Sequence, residues 1–269
     1  MDWLANMSDA LGETAIIERE EKLRTWFTRE CDPILKVVDG LDIGWGGVQR
    51  WATARMPVPT GGPHLDFGCG YGTFLAQLGW RFPGVRLVGL NIDYAGPHAL
   101  ISELLAQAEV HAVLVQADAR QMPFADESFA SASCFLGLQD IAIGFGESGV
   151  RTTLSEAVRV LRTDGTLTLL DEFPFEKLDV LLEGLPLVVI DREERALDVR
   201  WDRRVAERAI MLYTEGWVAQ ARLSDEAAQQ RTRVEVRSRM VAEMERQLSA
   251  QGYYVPFGPV RMLVAQKIG

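Results

Sequence analysis

Several things are scarce in this 269-residue chain, and each scarcity removes a class of function. It has three cysteines, Cys31, Cys69 and Cys134. Odd in number and without a CxxC pair, they indicate neither a disulfide framework nor a zinc site. The three histidines, His64, His98 and His111, show no ligand spacing, so no metal is expected. No apolar run approaches the ~20 residues of a membrane span, and the acidic start MDWLANMSDALGE lacks the basic region of a secretory signal. The expectation is a cytoplasmic protein without a membrane partner. Basic residues are also short, 28 Lys and Arg against 38 Asp and Glu, with no Lys/Arg-rich block. A net charge of −10 repels a phosphate backbone and argues against nucleic acid as a partner.

What is present is enough apolar material, 48% of the chain, to fill the core of one α/β domain with appendages. The chain is organised around His64-Leu65-Asp66-Phe67-Gly68-Cys69-Gly70-Tyr71-Gly72-Thr73-Phe74. A short apolar strand there enters a turn with glycine at alternate positions, then a helical pattern, FLAQLGWRF, then a second apolar run, VRLVGLNID. That is the opening of a nucleotide-binding βαβ unit. Glycines permit positive φ and close approach of a ligand, and the helix start beyond them offers unpaired N–H groups.

The predicted order is an N-terminal helical segment over 1–60, broken near Pro33 and around Trp45, with MPVPTGGP as linker. A Rossmann-like core follows over 61–175. Its strands are expected at 64–67, 85–90, 111–115, 129–136 and 166–173, with helices at 73–80, about 96–108 and about 150–161. Residues 176–225 read as a helical lid carrying the substrate site, with the charged stretch DREERALDVRWDRR having no obvious place in the sheet. A polar helix and a last strand or hairpin closing one sheet edge fill 226–269. The fold class is therefore α/β: a doubly wound, mostly parallel seven-stranded sheet, with ligands outside the carboxyl ends of the strands.

A dinucleotide fingerprint G-x-G-x-x-G fails in either frame, since Thr73 or Leu75 stands at the sixth position. Asp66-x-Gly68-x-Gly70-x-Gly72 resembles instead the class I S-adenosylmethionine-dependent methyltransferases, most closely their small-molecule branch. The resemblance spans roughly 64–173. It includes Gln116-Ala117-Asp118-Ala119-Arg120-Gln121-Met122-Pro123-Phe124 after the third strand and Glu156-Ala157-Val158-Arg159-Val160-Leu161-Arg162 before the fifth. It implies S-adenosylmethionine as cofactor. Asp66, Gly68, Cys69 and Gly70 would take its methionine end, Asp118 and Ala119 its adenine, Asn91 with Ile92 or Asp93 its ribose, and Trp45 would close the pocket. In this chain Asn91 stands where the family commonly has an acid, Thr163-Asp164-Gly165 replaces the usual Pro-Gly-Gly turn, and the Asp-Pro-Pro-Phe/Tyr type of motif is absent.

Methyl transfer from a sulfonium is an in-line displacement, so positioning in a dry pocket supplies much of the rate. A base is needed only where the acceptor must lose a proton. Candidates at the fourth and fifth strand ends are Gln139 and Asp140 in FLGLQDI and Asp171 and Glu172 in LLDEF. The alternative for each is a helix cap or a salt-bridge partner. The expected enzyme methylates O, N or C of a small organic substrate, with specialised metabolites as one candidate class. The alternatives are other S-adenosylmethionine-dependent chemistry such as cyclisation, or a non-catalytic binding protein. A homo-oligomer through the N-terminal helices is open.

Overall fold

The computed structural model describes residues 12–30, 47–57, 61–94, 99–196, 200–220, 225–256 and 258–269. Trp45, Cys31, His98 and the side chain of Trp217 lie outside them. Two N-terminal helices, α1 (Glu13–Glu30) and α2 (Gly47–Thr53), precede β1 (His64–Phe67), α3 (Thr73–Arg81), β2 (Leu87–Asn91), α4 (Ile101–Gln107) and β3 (Ala112–Gln116). The second half runs β4 (Phe129–Phe135), α5 (Leu138–Val160), β5 (Leu161–Asp171), α6 (Phe175–Leu182), β6 (Leu187–Arg195), α7 (Arg203–Gln220), α8 (Glu226–Gln251) and β7 (Val260–Lys267). Among the described residues no helix is long and apolar enough to cross a membrane.

The seven strands form one sheet in the order β3-β2-β1-β4-β5-β7-β6. All neighbouring pairs are parallel except those of β7, which runs antiparallel to both β5 and β6. The strand order reverses between β1 and β4, and there the connections leave the sheet in opposite directions and open a crevice at the carboxyl ends.

Two expectations are corrected. The stretch 176–225 is not a purely helical lid, because Leu187–Arg195 is a strand whose residues pair with Val260–Lys267. Its charges concealed it: an edge strand with one solvated face tolerates Asp191, Arg192, Glu193 and Glu194, which blunt the open edge. The last strand does not close an edge. β7 inserts between β5 and β6, where its MLVA centre is buried on both faces.

Thr163-Asp164-Gly165, read as a turn before a strand starting at 166, is a bulge inside β5. Asp164 has φ 64°, and the register with β4 shifts between Phe129 and Ser131. A Cβ on Gly165 would stand 2.8 Å from the Arg162 carbonyl oxygen, which explains why this glycine survives in the altered turn.

The core lies in two layers. On one face α1 to α4 bury Ile16, Trp51, Phe74, Leu75, Leu78, Ile101 and Leu104 against the sheet. On the other, α5 and α6 bury Val150, Leu154, Ala157, Leu178 and Leu181 against Leu65, Phe67, Leu167 and Leu169. A third, smaller cluster of Trp201, Ala206, Ala209, Ile210, Met244 and Tyr254 joins α7 and α8. The arginines of the charged stretch pair mostly outside it: Arg192 with Asp179, Arg203 with Glu245, while Glu193 meets Arg55 and Glu194 meets Arg261. They tie the appended elements to the body of the protein.

Close packing sets a test at Gly79 on α3. A helical glycine replaced by alanine ordinarily gains about 1 kcal/mol. Here the added Cβ would lie 2.5 Å from Val110 Cγ1, so overpacking of about 1–3 kcal/mol opposes the gain. Gly79→Ala is expected to lower stability in urea unfolding, and to raise it when Val110→Ala makes room. Stabilisation by Gly79→Ala alone would contradict this packing.

Candidate active site

The glycine turn sits at the carboxyl end of β1 and is shaped by its backbone. Gly68, Gly70 and Gly72 have φ of 72°, 50° and 80°, the left-handed region that glycine enters without steric cost. Gly68 and Cys69 N–H groups bond the Leu90 carbonyl at 2.8 and 3.1 Å, which binds the turn to β2. A Cβ on Gly70 would meet nothing within 4 Å, so this turn residue faces open space where a ligand can approach the main chain. Cys69 is buried, and burial pushes its thiol up to about 12; it is a filler and not a nucleophile.

Asp66, on β1 just before the turn, is a tightly confined carboxyl group. It is buried in the middle of the sheet, and burial pushes its pKa up to about 7 although Ser133 donates to Oδ1 at 2.7 Å. Its other oxygen, Oδ2, has no protein partner. A buried carboxylate oxygen left open is costly, and the group that satisfies it must be a donor, best a cation. With Gly70 open beside it, this pair fits the ammonium and carboxylate of a bound methionine moiety.

Asn91 ends β2, buried, and turns its amide N–H onto the Asp93 carbonyl at 2.9 Å. That commits one of the two amide hydrogens and leaves the carbonyl oxygen to accept from a ribose hydroxyl. Ile92, half-buried, and Tyr94, whose hydroxyl donates to the Gly89 carbonyl at 3.1 Å, hold this corner. Asp118 follows β3. Arg120 grips its carboxylate through its backbone N–H at 2.9 Å, Nε at 3.1 Å and Nη2 at 2.6 Å, while its guanidinium lies 3.5 Å over the Phe145 ring. An adenine amino group would have to share Asp118 with Arg120. Ala119 packs partly buried against the core.

The segment Glu156 to Arg162 supports the chain that follows Asp118. Arg159 donates to the carbonyls of Phe124 at 2.8 Å and Met122 at 3.0 Å and to Asp126 at 2.7 Å, and Glu156 accepts from the Met122 N–H at 2.8 Å. This bidentate set rivets 122–126 onto α5. On the opposite side Gln49 of α2 donates to Thr73 at 2.8 Å, and buried Glu20 of α1 takes Arg50 and Gln77, so the N-terminal helices clasp the start of α3.

At the ends of β4 and β5 the candidates separate. Asp171 is a cap: buried, it accepts from the Leu138 N–H at 3.2 Å and the Glu172 N–H at 2.9 Å and secures the N-terminus of α5. Glu172 follows Asp171 at the carboxyl end of β5, the end of the sheet at which the crevice opens. Burial first and the neighbouring Asp171 charge second push it up to about 7, while the Gly258 N–H and the Gln139 amide oppose the shift. Its Oε1 is buried without a hydrogen-bond partner. Gln139 is thus a partner of Glu172, and Asp140, exposed on the first turn of α5, contributes charge to the same region. Tyr213 of α7 faces this group: burial and the charges of Glu172 and Asp140 raise its pKa. Tyr213 lies in the stretch read from the sequence as a lid. Leu136, before α5, has φ 54°, an outlier for a branched residue at the mouth of the site.

His64, Ser131 and Ser133, which line the rear of Asp66, were missed. The signal for them is polar residues at alternate positions of two central strands, where apolar side chains are the rule.

The raised pKa of Asp66 works against the fold. The protonated form is favoured in the folded state, so this group costs nothing below its unfolded pKa near 4, and its cost grows as pH rises to about 7. Asp66→Asn is expected to stabilise the cofactor-free protein by about 2–4 kcal/mol at pH 8 and negligibly at pH 4, while abolishing cofactor binding. Urea unfolding at the two pH values checks it; equal effects at both would contradict it.

Residues 65–169 match the methyltransferase domain family. Among the relatives is a demethylmenaquinone methyltransferase of Roseiflexus castenholzii, 32% identical over 133 residues, 49% of this chain and 50% of that protein. Another is the ubiquinone/menaquinone biosynthesis C-methyltransferase UbiE of Paracoccus denitrificans, 31% identical over 160 residues, 55% and 60% of the two. The chain spans about half the length of the curated relatives it matches. Among solved structures, a Bacillus halodurans protein described as a methyltransferase superposes with TM-score 0.56 at 17% identity, covering 83% of this chain and all of that one. The [4+2]-cyclase SpnF superposes with TM-score 0.54 at 16% identity, covering 82% and 81%. At such identities the likeness shows the fold. The matched segment, the glycine turn and the strand order agree: residues 65–169 of this chain are similar to the methyltransferase domain family, on a sheet of the order that its structural neighbours share.

Proposed function

We propose that this protein transfers the methyl group of S-adenosylmethionine to a small organic acceptor that must give up a proton, and that Glu172 takes that proton. The observation that carries the reading is Glu172 itself: a carboxyl group pushed up to about 7, with one buried oxygen open, at the strand end facing the crevice. A general base is most useful with a pKa near the working pH, and this one is placed there by burial and by Asp171.

Asp66, Gly68 and Gly70 would hold the methionine end, Asn91 and Ile92 the ribose, and Asp118 and Ala119 the adenine. Trp45, outside the described residues, is proposed as a cover for the pocket. When bound, the cofactor supplies an electrophilic methyl group on a sulfonium. Gln139 orients Glu172, Asp140 adds negative charge that favours a cationic ligand nearby, and α7 with Tyr213 shields the site from water.

The names of the relatives support one acceptor class. Those proteins are named for demethylmenaquinone and for C-methylation. A hydroxylated aromatic ring methylated at carbon must lose a proton from the ring or its hydroxyl, and Glu172 meets that requirement.

Methyl transfer to a short-chain naphthoquinol, followed by release of S-adenosylhomocysteine at saturating cofactor, tests the reading. The rate is expected to rise with pH through about 7 and level off above it, since the carboxylate is the active form. Glu172→Gln is expected to lower kcat by about 10²–10⁴-fold with cofactor affinity unchanged. A pH-independent kcat, or full activity in Glu172→Gln, would overturn the role of Glu172. Turnover without S-adenosylhomocysteine would overturn methyl transfer itself.

A further inference from the structure

Behind Asp66 lies a buried file of four polar side chains on the two central strands. His64 and Asp66 alternate on β1, and Ser131 and Ser133 alternate on β4, at paired positions of a parallel ladder. All four are buried, with exposures of 0, 1, 2 and 0% for His64, Asp66, Ser131 and Ser133. Ser131 Oγ stands 2.8 Å from His64 Nδ1, Ser133 Oγ 2.9 Å from His64 Nε2, and Ser133 Oγ 2.7 Å from Asp66 Oδ1. The file ends at Oδ2, the oxygen without a partner.

Counting protons shows what such a file can do. Burial lowers the His64 pKa to about 3, so the ring is neutral and carries one N–H. Each serine carries one O–H. If Asp66 is ionised, Ser133 must donate to it, His64 Nε2–H must donate to Ser133, and Ser131 must donate to Nδ1. If Asp66 is protonated on Oδ1, every bond reverses: Asp66 donates to Ser133, Ser133 to Nε2, and Nδ1–H to Ser131. Either polarity satisfies every hydrogen bond in the file, whereas a proton on Oδ2 would leave that buried O–H without an acceptor, so the neutral acid carries its proton on Oδ1. What differs is Oδ2, which in the ionised form is a buried anionic oxygen needing a donor from outside the protein.

We propose that His64, with Ser131 and Ser133, is a positioning residue whose tautomer reverses when the cofactor's ammonium meets Asp66 Oδ2, so that cofactor binding expels one proton from Asp66. The inference rests on the cofactor reading given above. The balance is simple: the carboxylic acid and the cofactor cation give the carboxylate paired with that cation, and the proton goes to solvent. The imidazole gains and loses no net proton; it exchanges Nδ1–H for Nε2–H.

The surroundings keep this response with Asp66. The titratable groups facing it are His64 on its own strand, Cys69 in the turn, Tyr94 beyond β2 and Cys134 on β4. Burial holds both thiols and the phenol protonated and the imidazole unprotonated throughout pH 5–9. Asp66 alone among these changes charge in that range.

Nitrogen-15 NMR of the full chain labelled at its three histidines tests the proposal, with His64→Gln used to assign the His64 signals. At pH 6 the free protein is expected to show the Nδ1–H tautomer at His64, and saturating S-adenosylhomocysteine, which retains the ammonium, is expected to convert it to Nε2–H. Affinity for S-adenosylhomocysteine is expected to be about tenfold weaker at pH 6 than at pH 8. Ser133→Ala should uncouple the tautomer from binding, and Ser133→Thr, which keeps the hydroxyl, should restore the coupling. If Ser133→Ala does not fold, the wild-type tautomer and pH dependence decide. One tautomer in both states, with pH-independent affinity, would overturn the file's role and leave the cofactor reading standing. No binding at either pH would overturn the cofactor reading, and the tautomer of the free protein between pH 6 and pH 8 would then still test the file.

Discussion

The site depends on one unmet hydrogen bond, at the inner carboxyl group of the first strand. Asp66 is held at one oxygen by Ser133 and left open at the other, deep in the sheet. A protein interior rarely tolerates such an atom, because a buried acceptor without a donor costs about 1–3 kcal/mol, more when charged. The surrounding structure carries that cost: two apolar layers enclose the strands, and the turn beyond has open space at Gly70. A ligand that brings a donor recovers the cost on binding, which is how a stable fold and a strained site coexist.

The remaining elements fix this geometry from three sides. The Arg159 and Glu156 set clamps the loop that presents Asp118. Asp171 caps α5 and, by its charge, lifts Glu172 next to it. The N-terminal helices reach the glycine turn through Gln49 and Thr73. One consequence is a division of labour between two neighbouring acids of β5: the fully buried one serves the backbone, and the partly buried one stands at the end of the sheet where the crevice opens.

Much of this was legible in the sequence, for identifiable reasons. Alternate glycines after a short apolar strand have few structural uses, and the βαβ order of 64–135 shows in the alternation of apolar runs and helical patterns. The candidate residues Asp66, Gly68, Gly70, Asn91 and Asp118 were named from that segment, and the structure brings them to one end of the sheet. Strand β6 was hidden because an edge strand need bury only one face, so its charges at 191–195 looked like a loop. The central position of β7 followed from an antiparallel return that no local pattern encodes. The file from Ser131 to Asp66 escaped because its residues are polar where strands should be apolar, and the partners, 67 to 69 positions apart in sequence, meet only through parallel register. Gln139 and Glu172 were named as separate candidates; that they touch is a tertiary fact.

The central claim is that the open oxygen of Asp66 is the anchor for S-adenosylmethionine. A crystal structure of the protein with S-adenosylhomocysteine tests it most directly. The account predicts the ligand's ammonium within hydrogen-bonding distance of Asp66 Oδ2, its carboxylate on the backbone of the glycine turn, and its adenine amino group at Asp118. A ligand bound elsewhere, or an Asp66 Oδ2 still without a donor in the occupied site, would contradict it.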